Sequence, residues 1–299
     1  MRGVLRLAVT VTAVVCAAAT AEVGLPAVAQ AAPSRSATPS QAARAPAGVV
    51  AAAGELINAR TGQHLWSLEP GVELPIASIT KLMTALVVLS DGDLNRQITV
   101  TQAAETYAAD NGAGSAHLIP GDVLTTRQLL EAMLLPSGAD AAYLLAHAYG
   151  PWRLFVHKMN RMAARLGLTH THFANFDGLP WPTEYSTYST ARDVIRLGAA
   201  VMRHSLLRSI VSRRHFRLRA TRRHHAYRWA NTDRLLFRYK GAIGIKTGFT
   251  SAAGYCLLFE ARRDGKKLMG VVLDSTNTDA YLRFTVAVRL LNWGFRQLK

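Results

Sequence analysis

Ser78 and Lys81 stand three residues apart in Ser78-Ile79-Thr80-Lys81, at the head of a run whose apolar residues recur at helical spacing. Side chains at i and i+3 on a helix share one face, one turn apart. Serine is a weak nucleophile and needs a base beside it. A lysine that burial or a second cation has stripped of its proton can be that base. A helix N-terminus adds backbone N–H groups for a developing oxyanion. Together these are the parts of covalent acyl transfer. Taken alone, the pair arises readily by chance, and a helix cap with a solvated lysine explains it as well.

Lys246-Thr247-Gly248 is a rarer combination and falls where a strand should begin. A lysine and a threonine hydroxyl on one edge strand can hold a carboxylate by charge and hydrogen bond together. Gly248 leaves room for a substrate backbone to approach. A plain strand entry with a surface lysine is the alternative. Between the two motifs lies Ser137-Gly138-Ala139, in a break between helical patterns. A loop hydroxyl there could pass a proton to a leaving amine, or simply cap the next helix.

The elements that must carry these residues follow from periodicity. Residues 49–57 and 63–68 read as strands around the turn-forming Asn58-Ala-Arg-Thr-Gly62, and residues 254–262 and 267–274 as a hairpin through Asp264-Gly265. Helical spacing marks residues 78–90, 126–135, 139–149, 152–166, 189–204 and 280–297. Strands at both ends with helices between them predict an α+β fold. The terminal strands should pair in one mainly antiparallel sheet flanked by helices, with the reactive residues at its edge.

The first part of the chain reads differently. Residues 7–21 carry no charge, follow Arg2 and Arg6, and precede small residues at Ala29-Gln-Ala31. That is the pattern of a secretory signal over residues 1–31, short for a membrane span. Residues 32–47 are rich in Ala, Pro and Ser and read as a spacer. The globular domain then runs from 48 to 299. Cys16 lies in the signal, so only Cys256 remains and no internal disulfide is expected. Net charge is +16 over 299 residues. An exported protein so basic is drawn to anionic wall polymer or a membrane surface, while export excludes nucleic acid as a partner. The charge concentrates in residues 203–228, with nine arginines, four histidines and no acidic residue. That stretch is either a solvated surface or a docking patch bordering the substrate groove. His170-Thr-His172 and His224-His225 lack further ligands at useful spacing, so no metal is expected. Cys256, on an apolar strand, reads as a packed core thiol.

Three catalytic elements in this order resemble those of the D-alanyl-D-alanine carboxypeptidases, low-mass penicillin-binding proteins of the penicillin-recognising serine enzyme superfamily. The likeness extends through Ala77-Ser-Ile-Thr-Lys-Leu-Met-Thr84, Phe155-Val-x-x-Met-Asn160, Leu166-Gly-Leu168, Thr171-x-Phe-x-Asn175 and Asp177-Gly-Leu-Pro180. It continues through Tyr188-Ser-Thr-Ala-Arg-Asp193, Asn231-Thr232, Gly244-Ile-Lys-Thr-Gly-Phe-Thr250 and Ala253-Gly-Tyr-Cys256. The resemblance implies a β-lactamase/transpeptidase-like fold and an enzyme without a cofactor. Such an enzyme removes the terminal D-alanine from peptidoglycan stem pentapeptides, and β-lactams acylate it.

By the same resemblance Ser78 is the acylated nucleophile, Lys81 the general base and Ser137 the proton relay. Lys246 and Thr247 grip the terminal carboxylate beside Gly248. The backbone N–H groups of Ser78 and Phe249 form the oxyanion hole. Ala139 departs from the asparagine that many members carry there, which touches rate and β-lactam affinity. The resemblance ends with the last helix. Neither the additional β-rich domain nor the C-terminal amphipathic anchor of some relatives is expected after it. Two other acyl-transfer readings remain, a β-lactamase and a DD-endopeptidase. A third is a non-catalytic wall-binding pseudoenzyme. Glu184 is the only glutamate between Ser137 and Lys246, and it lacks the neighbours of a class A deacylating glutamate.

Overall fold

In the computed structural model, residues 46–298 are described; the expected signal and most of the spacer lie outside them. The chain opens with β1 (Ala53–Asn58), β2 (His64–Leu68) and β3 (Leu74–Pro75), then a 3-10 turn (Ala77–Thr80) running into α1 (Lys81–Asp91). Next come β4 (Gln97–Thr99), α2 (Gln102–Asp110), β5 (Val123–Thr125), α3 (Thr126–Leu134), α4 (Ala139–Ala148) and α5 (Trp152–Arg165). A second group follows, with β6 (Tyr188–Ser189), α6 (Ala191–Arg203), α7 (Ser205–Val211), β7 (His215–Leu218), β8 (Tyr227–Ala230) and α8 (Leu235–Arg238). The chain closes with β9 (Ala242–Thr250), β10 (Gly254–Arg263), β11 (Lys266–Leu273) and α9 (Leu282–Gln297).

The main sheet is five-stranded and antiparallel, in the order β2-β1-β11-β10-β9. The first and last strand pairs of the chain meet at β1 and β11, as the terminal patterns predict. The turns have local causes. Asn58 Oδ1 accepts from Arg60 N at 3.0 Å and Thr61 N at 3.4 Å, folding the β1–β2 connection. Asp264 and Gly265 both have positive φ, 49° and 75°, the geometry that a two-residue hairpin loop requires.

Alternation along the strands divides the core. On β10 and β11, Leu257, Phe259, Leu268 and Val272 face α9 through Phe284, Val286, Leu290 and Leu291. Cys256, Leu258, Met269, Val271 and Leu273 face the other way, toward α1 and α6. Cys256 is a buried thiol in that layer, its Sγ bonded to Ala253 O. At roughly 25 cal/mol per Å2 of apolar area, burial on both faces makes the sheet the stable platform of the molecule.

Candidate active site

The edge strand β9 brings Lys246 and Thr247 to the 3-10 turn that carries Ser78. Lys246 is the fifth residue of β9, not its first, so the strand begins four residues earlier than the sequence suggests. Two glycines let the pieces meet. A Cβ on Gly248 would lie 2.8 Å from Ile76 O and 3.4 Å from Ser78 N. The backbone that crowds Gly248 is therefore the protein's own turn around Ser78, where the sequence suggested a substrate. Gly178, at φ +81°, passes so close that a Cβ there would sit 1.9 Å from Ala77 O. Ala77 itself holds φ +46°, a strained value for a residue with a side chain. Ser78 is thus clamped between β9 and the 175–181 loop.

Lys81, the first residue of α1, is 1% exposed. Its Nζ donates to Ser78 Oγ at 2.9 Å and to Asp177 O at 3.1 Å. Burial holds the Lys81 pKa below the ordinary lysine range, with Asp177 and Asp140 pulling weakly the other way. A buried amine bonded to a serine hydroxyl is poised to take its proton.

Ser137 does not cap α4. The cap position belongs to Gly138, and no side chain bonds there. Ser137 sits at φ +68°, and its Oγ accepts from Lys246 Nζ at 2.9 Å. No side chain fits at Gly138, where a Cβ would meet Asp140 Oδ1 at 2.6 Å and Ala132 O at 2.7 Å. Asp140 is buried and accepts from Ala116 N at 3.0 Å, Leu118 N at 3.2 Å and Ser115 Oγ at 2.9 Å. It fixes residues 115–118 against the Ser137 turn. The sequence pattern singles out no role for Asp140.

Lys246 is 1% exposed and also donates to Thr247 O at 3.0 Å. Burial, reinforced by the positive charges of Lys81 and Arg283, pushes its pKa well below the usual lysine value. Asp233 pulls the other way without overcoming burial, and an arriving carboxylate would add to its opposite charge and draw a proton back onto Lys246. Thr247 Oγ1 lies 2.7 Å from Thr232 Oγ1. Phe249 is 45% exposed and stacks on Tyr255, with ring centroids 4.1 Å apart. Arg283, near the start of α9, donates to Gly248 O at 3.0 Å and lies over the Tyr255 ring. No sequence signal distinguishes Arg283 among 28 arginines; only the fold brings it beside Thr247.

Ser78, Lys81, Ser137, Thr232, Thr247 and Arg283 line one cavity of about 430 Å3. A larger open depression of about 910 Å3 around Lys240 and Arg262 contains none of them. Ala139 is buried, its N–H donating to Gly114 O at 2.7 Å, and it does not line the cavity that holds Ser78. Glu184 is exposed on a loop and also stands outside the lining. Among the described residues no group of three or more His, Cys, Asp or Glu is arranged to hold a metal. His170 lies beside Glu73, and His225 beside Asp122. The basic stretch 203–228 spans α7 and the β7–β8 hairpin. Arg213 pairs with the buried Glu131 at 2.6 Å, while Arg217, Arg219 and Arg222 are exposed.

Comparison with known proteins gives a consistent result. A family profile described as D-alanyl-D-alanine carboxypeptidase matches residues 39–277. A D-alanyl-D-alanine carboxypeptidase of Streptomyces sp. (strain K15) is 39% identical over 272 residues, covering 87% of this chain and 91% of the relative. The crystal structure of the Streptomyces K15 DD-transpeptidase superposes with a TM-score of 0.78 at 39% identity, over 83% of this chain and 98% of that one. A D-alanyl-D-alanine carboxypeptidase from Mycobacterium tuberculosis H37Rv superposes at 0.75 with 33% identity, over 84% and 95% of the two chains.

Proposed function

The chain belongs to the D-alanyl-D-alanine carboxypeptidase family and is a serine peptidase of that activity; from that premise we propose that it removes the terminal D-alanine of peptidoglycan stem pentapeptides through an acyl-enzyme on Ser78. The family acts on D-Ala-D-Ala peptides and binds β-lactams. The observation that carries the assignment to Ser78 is the 2.9 Å hydrogen bond from the buried Lys81 amine.

Ser78 Oγ gives its proton to neutral Lys81 and attacks the carbonyl carbon between the two D-alanines. The Ser78 and Phe249 N–H groups receive the oxyanion. The C–N bond breaks, and the nitrogen of departing D-alanine takes, through Ser137, the proton that Lys81 received, which leaves Lys81 neutral for the second step. Ser137 is joined to Lys246, so that lysine supports the relay as well as the carboxylate. Thr247, Lys246 and Arg283 hold the substrate carboxylate. Water then hydrolyses the ester, again with Lys81 as base. The 175–181 loop keeps this geometry fixed, because Lys81 is tied to Asp177 O as well as to Ser78. With Ala139 in place of asparagine, the substrate amide finds its partner elsewhere in the cavity.

We also propose export, with residues 1–31 as signal, residues 32–47 as spacer and the catalytic domain from residue 48, acting at the cell wall. The exposed arginines 217, 219 and 222 then dock anionic wall polymer or lipid headgroups, in a salt-sensitive manner. Incubating the protein with a fluorescent penicillin, beside Ser78→Ala, tests the central reading. Stable label on the wild type alone supports it, with D-alanine release assayed next. Rapid drug loss without label points to a β-lactamase. Absence of both leaves the pseudoenzyme.

A further inference from the structure

Tyr107 stands on α2, outside every catalytic motif, yet its hydroxyl lies at the centre of the hydrogen bonds around the 175–181 loop. It accepts from Trp181 Nε1 at 2.9 Å and donates to the Oδ2 of buried Asp177 at 3.0 Å. Asp177 Oδ1 accepts from Leu179 N at 3.1 Å, so both carboxylate oxygens are held. The backbone oxygen of the same aspartate accepts from Lys81 Nζ, and Lys81 reaches Ser78. One run of contacts thus leads from Trp181 through Tyr107 and Asp177 to the nucleophile.

The rest of Tyr107 is placed for the same task. Its ring is half-buried against Tyr143 of α4 and against Phe176, with centroids 5.1 Å and 5.6 Å away. Its backbone oxygen accepts from Asn111 Nδ2 at 2.8 Å. Asn111 and Leu179 both line the cavity that holds Ser78, so this one residue joins two segments of its wall. A phenylalanine would pack the same ring; only the hydroxyl can make the two bonds. Lys81 is faced by Asp177 and Asp140 and by Lys246. Tyr107 is faced by Asp177 and Tyr143, with His147 stacked on Tyr143. Burial raises the Tyr107 pKa, so the phenol keeps its proton and stays a donor. Burial raises the Asp177 pKa as well, and the bond from Tyr107 opposes that rise.

We infer that Tyr107 is a positioning residue for acylation: its hydroxyl fixes the Asp177 side chain and, through the loop that Asp177 organises, sets Lys81 against Ser78. It does not line the cavity and takes no part in the bonds that form and break. The inference rests on the acyl-enzyme reading above.

The test follows penicillin acylation against pH. Tyr107→Phe keeps the ring and leaves Asp177 Oδ2 without its donor. The carboxyl then takes up a proton, and its pull on Lys81 is lost. The acid limb of the profile should move down by about half a pH unit or more, and the rate on the high-pH plateau should fall about fivefold. Trp181→Phe removes only the donor to Tyr107, so it should move the limb the same way but less. It carries the test if Tyr107→Phe does not fold. In an Asp177→Asn background, Tyr107→Phe should move the limb no further, because the charge is already gone. A tyrosine that merely packs would lower the urea midpoint and leave the limb in place. The inference is overturned by a limb that stays put or moves upward in Tyr107→Phe, or in Trp181→Phe where that variant alone folds. An equal displacement with and without Asp177→Asn overturns it too. A wild type that takes no label would instead remove the acyl-enzyme reading beneath it.

Discussion

Lys81 and Asp177 meet through a backbone oxygen and not through their charges: the amine donates to Asp177 O at 3.1 Å, while the Asp177 carboxylate accepts from Tyr107 Oη at 3.0 Å and Leu179 N at 3.1 Å. The aspartate thus fixes the loop that holds the lysine, and its charge acts on Lys81 only from a distance. Burial wins over that attraction and keeps the lysine pKa low. Acylation should accordingly fall as pH drops through the Lys81 pKa, because a protonated amine cannot accept from Ser78.

Asp177→Asn separates the two contributions. The amide keeps the shape and an acceptor for Leu179 N, but removes the charge that raises the Lys81 pKa. The acid limb of the penicillin-acylation profile should move to lower pH. An unmoved limb would mean that Asp177, whose own pKa burial raises, is already protonated beside Lys81.

Ser137 sits at φ +68° in a position that glycine would occupy without strain. Ser137→Gly and Ser137→Ala both delete the hydroxyl that accepts from Lys246. The glycine variant should nevertheless be the more stable of the two, by about 1 kcal/mol. Both should lose about 10²-fold or more in D-alanine release. Equal denaturation midpoints for the two would deny that the turn stores strain.

Gly178→Ala tests the clamp on Ser78 without touching a reactive group. The new methyl would collide with Ala77 O, and a left-handed φ adds its own cost. Unfolding should become easier by at least about 2 kcal/mol, and acylation should slow more than stability alone explains, since Ser78 follows directly. Wild-type labelling kinetics in a merely destabilised variant would place the clamp's role in folding alone.

How much of this was legible in the sequence depends on the range of the interactions. Ser78 and Lys81 are one turn apart, so spacing placed them on one face, although it took Lys246-Thr247-Gly248 and the family resemblance to tell a reactive pair from a helix cap. The hairpin at Asp264-Gly265 was equally local. Ser137 and Lys246 are 109 residues apart, and that bond required the family resemblance or the fold. Helix α2 escaped notice because its buried face is only Ala104 and Ala108, although Thr101 accepts from Ala104 N as a cap. The β7–β8 hairpin was obscured by its arginines. Its period-two pattern is present: Phe216, Leu218, Tyr227 and Trp229 turn inward, while Arg217 and Arg228 are exposed. Arg283 and Asp140 had no signal, because each works through backbone that only folding brings near.

Glu131 joins the connection that enters that basic hairpin to the helix leading into Ser137, and its protonation couples stability to pH. It lies on α3, pairs with Arg213 at 2.6 Å through one oxygen, and buries the other without a hydrogen-bond partner. Burial raises its pKa from 4.5 to about 7 despite Arg213. A carboxyl that holds its proton more tightly when folded stabilises the fold fully below about pH 4.5. That contribution is lost as pH climbs through about 7. Glu131→Gln imitates the protonated form at every pH. The stability of Glu131→Gln relative to wild type should therefore rise between pH 5 and pH 8, read as a growing difference in urea midpoint. Parallel curves over that range would show that Arg213 keeps Glu131 ionised throughout and that the buried oxygen costs nothing that pH can relieve.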